Sequence, residues 1–425
     1  MKKVLIIARL PHASPRIPGL AKYLPEFSWQ PVVLTASWPL SSQAPFPVTE
    51  TEYRDALGVW KRWLRLQSLS RSDEDLRGLI KERLGTVFGN SLADFILTRI
   101  GEVVNYPDGD KGWKPFALEA GDELLQRGDI DILISSSSPV TSHFIARKLK
   151  AKHKVPWVAD LRDLWSQNHN YAYGPIRKLL DKRLELKTLS LADAVVTVSQ
   201  LWAEELATLY NRPFVHTITN GFDPQEQARD DTNLTAKFTI TYTGLFLTRR
   251  DPSKLFVALR ELIREGKMNP QEIEVRFYGI QISWLFKQIE ENGLSDIVHC
   301  YEEVPWQVSL EKQRESQILL LLNWDDPRGK GAHPLKCFEY LGSRRPILAV
   351  GGFGGDVTEK LLNETKAGKY CKTVEDVKAA LVELYSAYKA SGKVDYAGDV
   401  REIDKYSHRE MARKFSEILD RLVPQ

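Results

Sequence analysis

The sequence predicts an α/β fold of two doubly wound halves, each with a parallel sheet. Three observations predict it. Short Val, Ile and Leu runs recur along the chain, continuous rather than alternating, as strands covered on both faces require. Longer stretches with helical spacing separate them, which is the order of βαβ units. The alternation occurs twice, with an Asn220-Gly221 turn between the two series. A chain of 425 residues suits two domains, each large enough to bury its own core.

The first series of strands is Val4–Ala8, Pro31–Thr35, Ile130–Ser135, Trp157–Ala159 and Ala194–Val198; the second is Phe238–Tyr242, Glu274–Tyr278, Ile318–Asn323 and Ile347–Val350. Helices are expected at Ser142–Lys150, Ile176–Ser190, Pro252–Glu265, Trp284–Asn292 and Leu335–Gly342, with a last helix near Ser407–Leu422. This places one domain at 1–219, a second at 220–400, and a final helix at 401–425 that packs back on the first. Residues 52–105 interrupt the pattern with helical spacing and almost no strand signal, and read as a helical insertion. Within it Trp60, Trp63 and Leu64 fall at i, i+3 and i+4 with Lys61, Arg62 and Arg65 between them. That face suits a membrane surface or an anionic lipid-linked substrate, or equally a helix with its tryptophans in the core.

Composition narrows the function classes. Net charge is +3, from 59 Lys and Arg against 56 Asp and Glu, so no global field points to nucleic acid. The three cysteines, Cys300, Cys337 and Cys371, are widely spaced, form no metal pattern, and fit a reducing, cytoplasmic setting. The apolar run after Lys3 is five residues, ended by Arg9, too short for a secretion signal. No window is long and apolar enough for a membrane span.

In a doubly wound sheet, ligands bind beyond the carboxyl ends of the strands, and five such segments carry chemistry. After strand one, RLPHASPRIPG lacks G-x-G-x-x-G, which argues against a nicotinamide or flavin dehydrogenase. There Arg16 can pair with a phosphate and Gly19 can admit a ligand at the helix start, or the loop is a proline-stiffened connection. In SSSSPVTSH, Ser138 and His143 open a helix and suit an anion or sugar hydroxyl, or a plain cap. In ADLRDLW, Asp160 and Asp163 flank Arg162, a charged network able to tune an acid or base, or a salt-bridged strand end. In YTGLFLTRRDP, Gly244 permits close approach of a diphosphate, and Arg249 and Arg250 supply charge to neutralise it. In GKGAHPLKCFEYLGSRRPILAV, Gly331 and His333 lie in a basic loop before a helix bearing Lys336 and Glu339. Loop, base, acid and strand fall in the order a nucleotide site needs, with phosphate at the helix start and ribose on the carboxylate. The glycine-rich 351–355 follows and offers a further close-approach loop.

These pieces, with YPDGDKGWKPFA (106–117), ADAVVTVS (192–199) and NGFD (220–223), keep the order of a known family. The chain resembles GT-B glycosyltransferases, specifically glycosyltransferase family 4. The resemblance implies two Rossmann-like domains with an interdomain cleft, the acceptor on the first and a nucleotide-sugar donor on the second. It implies hexosyl transfer with retention, without metal or cofactor, in polysaccharide or glycoconjugate biosynthesis. The acceptor would be a glycan, lipid-linked or small-molecule hydroxyl. Glu339 would bind the ribose; Gly244, Arg249, Arg250 and Lys336 would face the diphosphate; Asp163, with Asp160 and Arg162, would lie near the transferred sugar. Members often carry a second glutamate eight positions before the first-named one. Here that position is Gly331, so the glutamate that touches the sugar elsewhere has no counterpart. A nucleotide-sugar epimerase of the same fold and a non-catalytic nucleotide-sugar-binding protein are the competing readings.

Overall fold

The computed structural model describes residues 1–10, 15–37, 44–54, 103, 105–171, 173–213, 215–226, 233–246, 250–279 and 282–424. The basic face at Trp60, Lys61, Arg62, Trp63 and Arg65, nearly all of the proposed insertion, and Arg249 lie outside the described residues. The chain forms two compact units. One comprises residues 1–198, 202–218 and 412–425; the other comprises 199–201 and 219–411.

The first unit holds a seven-stranded parallel sheet of order β3-β2-β1-β4-β5-β6-β7: β1 (Lys2–Ile7), β2 (Trp29–Ala36), β3 (Val48–Thr51), β4 (Ile132–Ser137), β5 (Trp157–Leu161), β6 (Ala194–Thr197) and β7 (His216–Thr217). Its helices are α1 (Arg16–Tyr23), α2 (Lys114–Gln126), α3 (Thr141–His153), α4 (Pro175–Leu189) and most of α5 (Gln200–Tyr210). The second unit holds a six-stranded parallel sheet of order β10-β9-β8-β11-β12-β13: β8 (Phe238–Thr243), β9 (Ile273–Tyr278), β10 (Val298–Tyr301), β11 (Ile318–Leu322), β12 (Ile347–Val350) and β13 (Gly368–Cys371). Around it run α6 (Ser253–Arg264), α7 (Ser283–Glu291), α8 (Trp306–Arg314), α9 (Leu335–Ser343), α10 (Val357–Thr365), α11 (Val374–Ser391) and α12 (Val400–Asp404). The closing helix α13 is His408–Leu422, and its residues from Ala412 onward belong to the first unit.

The continuous apolar runs have the predicted cause. In β11, Ile318, Leu320 and Leu322 join one core, with Phe256 and Leu259 of α6 and Leu381 of α11. Leu319 and Leu321 point the other way, into a core with Phe338 and Leu341 of α9 and Leu361 of α10. Helices on both faces leave no solvent side, so the run cannot alternate. In the first unit, Val4 to Ile7 of β1 and Ile132 to Ile134 of β4 are fully buried. Trp29, Trp113 and Trp157, three of the chain's eleven tryptophans, are buried there as well.

Each sheet reverses its strand order once, between β1 and β4 and between β8 and β11. Ligand crevices of doubly wound sheets open at such points, beyond the carboxyl ends of the strands. Two expectations are corrected. The strand expected at Trp157–Ala159 continues to Leu161, so Asp160 lies within β5 rather than after it. Four strands, β3, β7, β10 and β13, were not expected, and they are the four sheet edges. An edge strand is covered less fully and lacks the long apolar run of a central one. Among the described residues, no helix is long and apolar enough to cross a membrane.

Candidate functional site

In the second unit, residues converge at the carboxyl end of β8 and the start of α9. Gly244, directly after β8, has φ +104 and donates its N–H to the Tyr278 carbonyl at 2.7 Å. A Cβ there would stand 2.9 Å from both Cε and Nζ of Lys336, so the glycine leaves room for that side chain. Lys336 Nζ lies 4.9 Å from the centre of the Tyr242 ring. Burial, together with the nearby Arg250 charge, lowers the Lys336 ammonium to about 8, while Glu339 opposes the shift. Arg250 is half-buried, and burial lowers its guanidinium as well. Two cations are thus held close together where burial penalises both. An anion entering between them would relieve that penalty.

Glu339 stands one turn into α9, and burial raises its carboxyl. It is held by residues the sequence reading missed. Gln313, fully buried on α8, donates through Nε2 to Glu339 Oε2 at 3.3 Å and to Thr243 Oγ1 at 3.0 Å. Its Oε1 accepts from Ser343 Oγ at 2.9 Å. The Trp306 indole, at the start of α8, is a further donor to Glu339. The one signal for Gln313 was its place three residues after Leu310, which is buried on the same helix. No side chain caps the start of α9, where Pro334 sits at the N-cap, so its first amides are offered to a ligand. At the carboxyl ends of β9 and β10, Tyr278 and Tyr301 stack with ring centres 4.7 Å apart.

The remaining predicted residues of this region do other things. Gly331 is buried in the turn before α9. His333 packs its ring 5.4 Å from that of Phe338, and burial lowers it to about 4, so it is neutral at pH 7 and adds no charge. In the 351–355 loop, Gly352 N–H donates to Asp325 Oδ1 at 2.6 Å and Gly355 N–H to the Glu359 carboxylate. These amides are already engaged by carboxylates of the chain, which corrects the expectation of an open close-approach loop.

In the first unit the predicted residues also cluster, with different consequences. Arg16 and Asp160 are both fully buried and form a two-pronged pair: Nε to Oδ2 at 3.0 Å and NH2 to Oδ1 at 2.7 Å. Ser136 Oγ donates to the same Oδ2 at 2.8 Å, and the Arg16 guanidinium lies 5.4 Å from the Phe415 ring of α13. Arg16 is therefore neutralised within the fold rather than reserved for phosphate, and Asp160 is its structural partner. Gly19 sits inside α1, its N–H bonded to the Pro15 carbonyl at 2.8 Å, and so does not face a ligand. His143 is fully buried, with Nδ1 2.7 Å from Ser135 Oγ, and burial lowers it to about 4. The Trp157 indole donates to that same Oγ at 2.7 Å, which leaves the hydroxyl proton for Nδ1.

The start of α3 resembles an anion seat, but the chain fills it. Asp108, from the 106–117 motif, accepts from the Thr141 N–H and from Thr141 Oγ1, both at 2.7 Å. Burial raises Asp108, and those bonds pull it back. What stays accessible beyond β4 and β5 is Ser138, exposed, with its carbonyl accepting from Arg162 NH2 at 2.7 Å, and half-buried Asp163 beside Arg162. Among the described residues, no three of His, Cys, Asp or Glu gather as they would to hold a metal ion.

Comparison with known proteins agrees with this architecture. The model of Glycosyltransferase Family 4 matches residues 19–226, just under half of the chain. No curated protein matches the sequence. Among solved structures, the chain is similar to Anabaena HepE in complex with UDP and glucose, with a TM-score of 0.64 and 12% identity, covering 99% of this chain and 100% of that one. It is similar to sucrose-phosphate synthase from Thermosynechococcus elongatus, with a TM-score of 0.62 and 12% identity over 99% of each chain. A putative UDP-N-acetylglucosamine 2-epimerase from Listeria monocytogenes aligns with a TM-score of 0.54 and 12% identity, over 100% of this chain and 98% of that one. The chain thus has the GT-B fold throughout, and its residues 19–226 match glycosyltransferase family 4.

Proposed function

We propose that this protein is a glycosyltransferase that moves a sugar from a nucleoside-diphosphate donor to a hydroxyl acceptor. The observation that carries the reading is the grouping of Lys336, Arg250 and Glu339 at the uncapped start of α9, beside Gly244. Two cations and free helix amides suit a diphosphate, the leaving group whose developing charge must be stabilised. A carboxylate one turn in suits two ribose hydroxyls. The Tyr278–Tyr301 stack and Trp306 offer flat faces for the base. UDP, carried by HepE, is the first nucleotide to test.

In this reading the acceptor binds the first unit, at Ser138, Arg162 and Asp163. The leaving phosphate assists the attacking hydroxyl, so the sugar's configuration is retained and no metal or cofactor takes part. The acceptor is a glycan, lipid-linked or small-molecule hydroxyl, in cytoplasmic synthesis of a polysaccharide or glycoconjugate. The basic Trp60–Arg65 face belongs to the same proposal as a membrane contact.

The test is transfer from labelled UDP-sugars to a panel of acceptors, with Glu339→Ala and Arg250→Ala as controls. Glu339→Ala removes a charged acceptor of two hydrogen bonds, about 2 kcal/mol, or roughly 30-fold in UDP affinity. Transfer that survives both substitutions would overturn the reading. A donor isomerised in the absence of any acceptor would replace it with the epimerase alternative, whose fold this chain shares. Tight UDP-sugar binding with no turnover would make the protein a binding module.

A further inference from the structure

Helix α4 is built inside out. Its buried side chains include Arg177, Asp181, Glu185 and Thr188, whereas Ile176, Leu179 and Leu180 are 77%, 50% and 45% exposed. The spacing is that of an amphipathic helix, with the apolar stripe at i, i+3 and i+4 turned to solvent. Arg183 and Lys187 continue the same stripe at i+7 and i+11.

The inward charges are all accommodated. The Arg177 guanidinium lies 4.5 Å from the Tyr106 ring and 4.6 Å from the Tyr173 ring. It donates to the Pro107 carbonyl at 2.7 Å and to Asp181 Oδ2 at 2.9 Å. Glu185 accepts from the Ser166 and Tyr210 hydroxyls, each at 2.5 Å. Burying a charge without partners is costly. This inversion is therefore held in place by specific contacts on the inner face, while Ile176, Leu179 and Leu180 stay exposed.

The inversion has an electrostatic consequence. Both acids of the helix are removed from its surface, so its exposed charges are Lys178, Lys182, Arg183 and Lys187. None of the four is ion-paired with a carboxylate among the described residues. Neighbouring α3 extends the field. Leu184 of α4 packs against a cluster containing Phe144 of α3. Phe144 shares a helix face with Arg147 and Lys148, and Lys114 Nζ stands 5.5 Å from its ring. These three cations also have no ion-pair partner among the described residues.

We propose that the exposed face of α4 docks on an anionic lipid surface. Ile176, Leu179 and Leu180 would enter the boundary between headgroups and acyl chains, and the surrounding cations would meet lipid phosphates. Charge selects this occupant. A second copy of the chain would set the same cations against one another, and nucleic acid offers no apolar layer for the triad. The inference is independent of the transferase reading.

The test is co-sedimentation of the full chain with vesicles of phosphatidylcholine alone and of phosphatidylcholine with phosphatidylglycerol. The wild type is expected to sediment with the anionic vesicles, not the neutral ones, and to be released by salt. The combined Lys178→Glu, Lys182→Glu and Arg183→Glu variant should bind them roughly 100-fold more weakly, at the usual contribution of each cation near such a surface. The combined Ile176→Ser, Leu179→Ser and Leu180→Ser variant should lose binding with its melting temperature unchanged, because these side chains are exposed. Three results would overturn the proposal: wild type that ignores anionic vesicles, folded variants that bind as wild type does, or a concentration-dependent dimer abolished by the serine variant without vesicle binding.

Discussion

Lys336 and Asp160 are both charged groups placed against a positive partner, yet only one is left for a ligand. Lys336 sits beside another cation, and burial brings its ammonium to about 8 from an ordinary value of about 10.4. As pH rises through 8 the empty site loses that charge, so UDP should bind more weakly from about pH 8 upward. The folding linkage has the opposite sense: between about 8 and about 10.4 the unfolded chain holds the extra proton, so this residue adds stability as pH rises. Lys336→Arg keeps a permanent charge and should flatten the pH dependence of binding. Calorimetric titration of both proteins across that range checks it, and equal slopes would remove Lys336 from the phosphate site. Asp160, by contrast, is consumed by Arg16 and Ser136. Asp160→Asn leaves a buried arginine without its counter-charge and should destabilise the first unit by about 3–5 kcal/mol. Chemical denaturation followed by tryptophan fluorescence measures that loss.

At the scale of elements, what could be read from the sequence divides along physical lines. Central strands were legible because two helical layers force every side chain of β11, and Val4 to Ile7 of β1, to be apolar. The four edges were not, since Val48-Thr49-Glu50-Thr51 and Gly368-Lys369-Tyr370-Cys371 meet water on one side and read like loops. The Lys336–Glu339 pair was legible because a single helix turn brings it together. Gln313 and Asp108 were not, because their partners lie 26 and 33 residues away and only the folded chain brings them near. Gly244 was legible as a close approach, and the structure names what approaches: the Lys336 side chain. Gly244→Ala would introduce both a positive-φ side chain and a 2.9 Å contact with Lys336 Cε and Nζ. It should weaken UDP binding and cost about 1–3 kcal/mol of stability in the second unit. Retained affinity in the alanine protein would show that the Lys336 ammonium needs no such corridor.

For the molecule as a whole, the two sheets pose one question with two geometrically equivalent answers, because each has a switch point and a helix start beside it. Their charge states separate them. In the first unit the chain has supplied its own anions, with Asp160 on Arg16 and Asp108 on the start of α3. In the second, α9 starts without a side-chain cap, and burial penalises both Lys336 and Arg250. A diphosphate therefore gains more in the second unit, where its charge offsets the burial of two cations instead of displacing a carboxylate. Hydrogen exchange on the full chain reads this directly. Saturating UDP should protect amides near residues 243–246 and 335–340 and leave those near 137–143 and 160–163 unchanged. Protection confined to the first unit would place the nucleotide on Arg162 and the serine loop and reverse the assignment of the two units. Protection in neither unit would mean that UDP is not the ligand, and another nucleotide should then be screened by the same measurement.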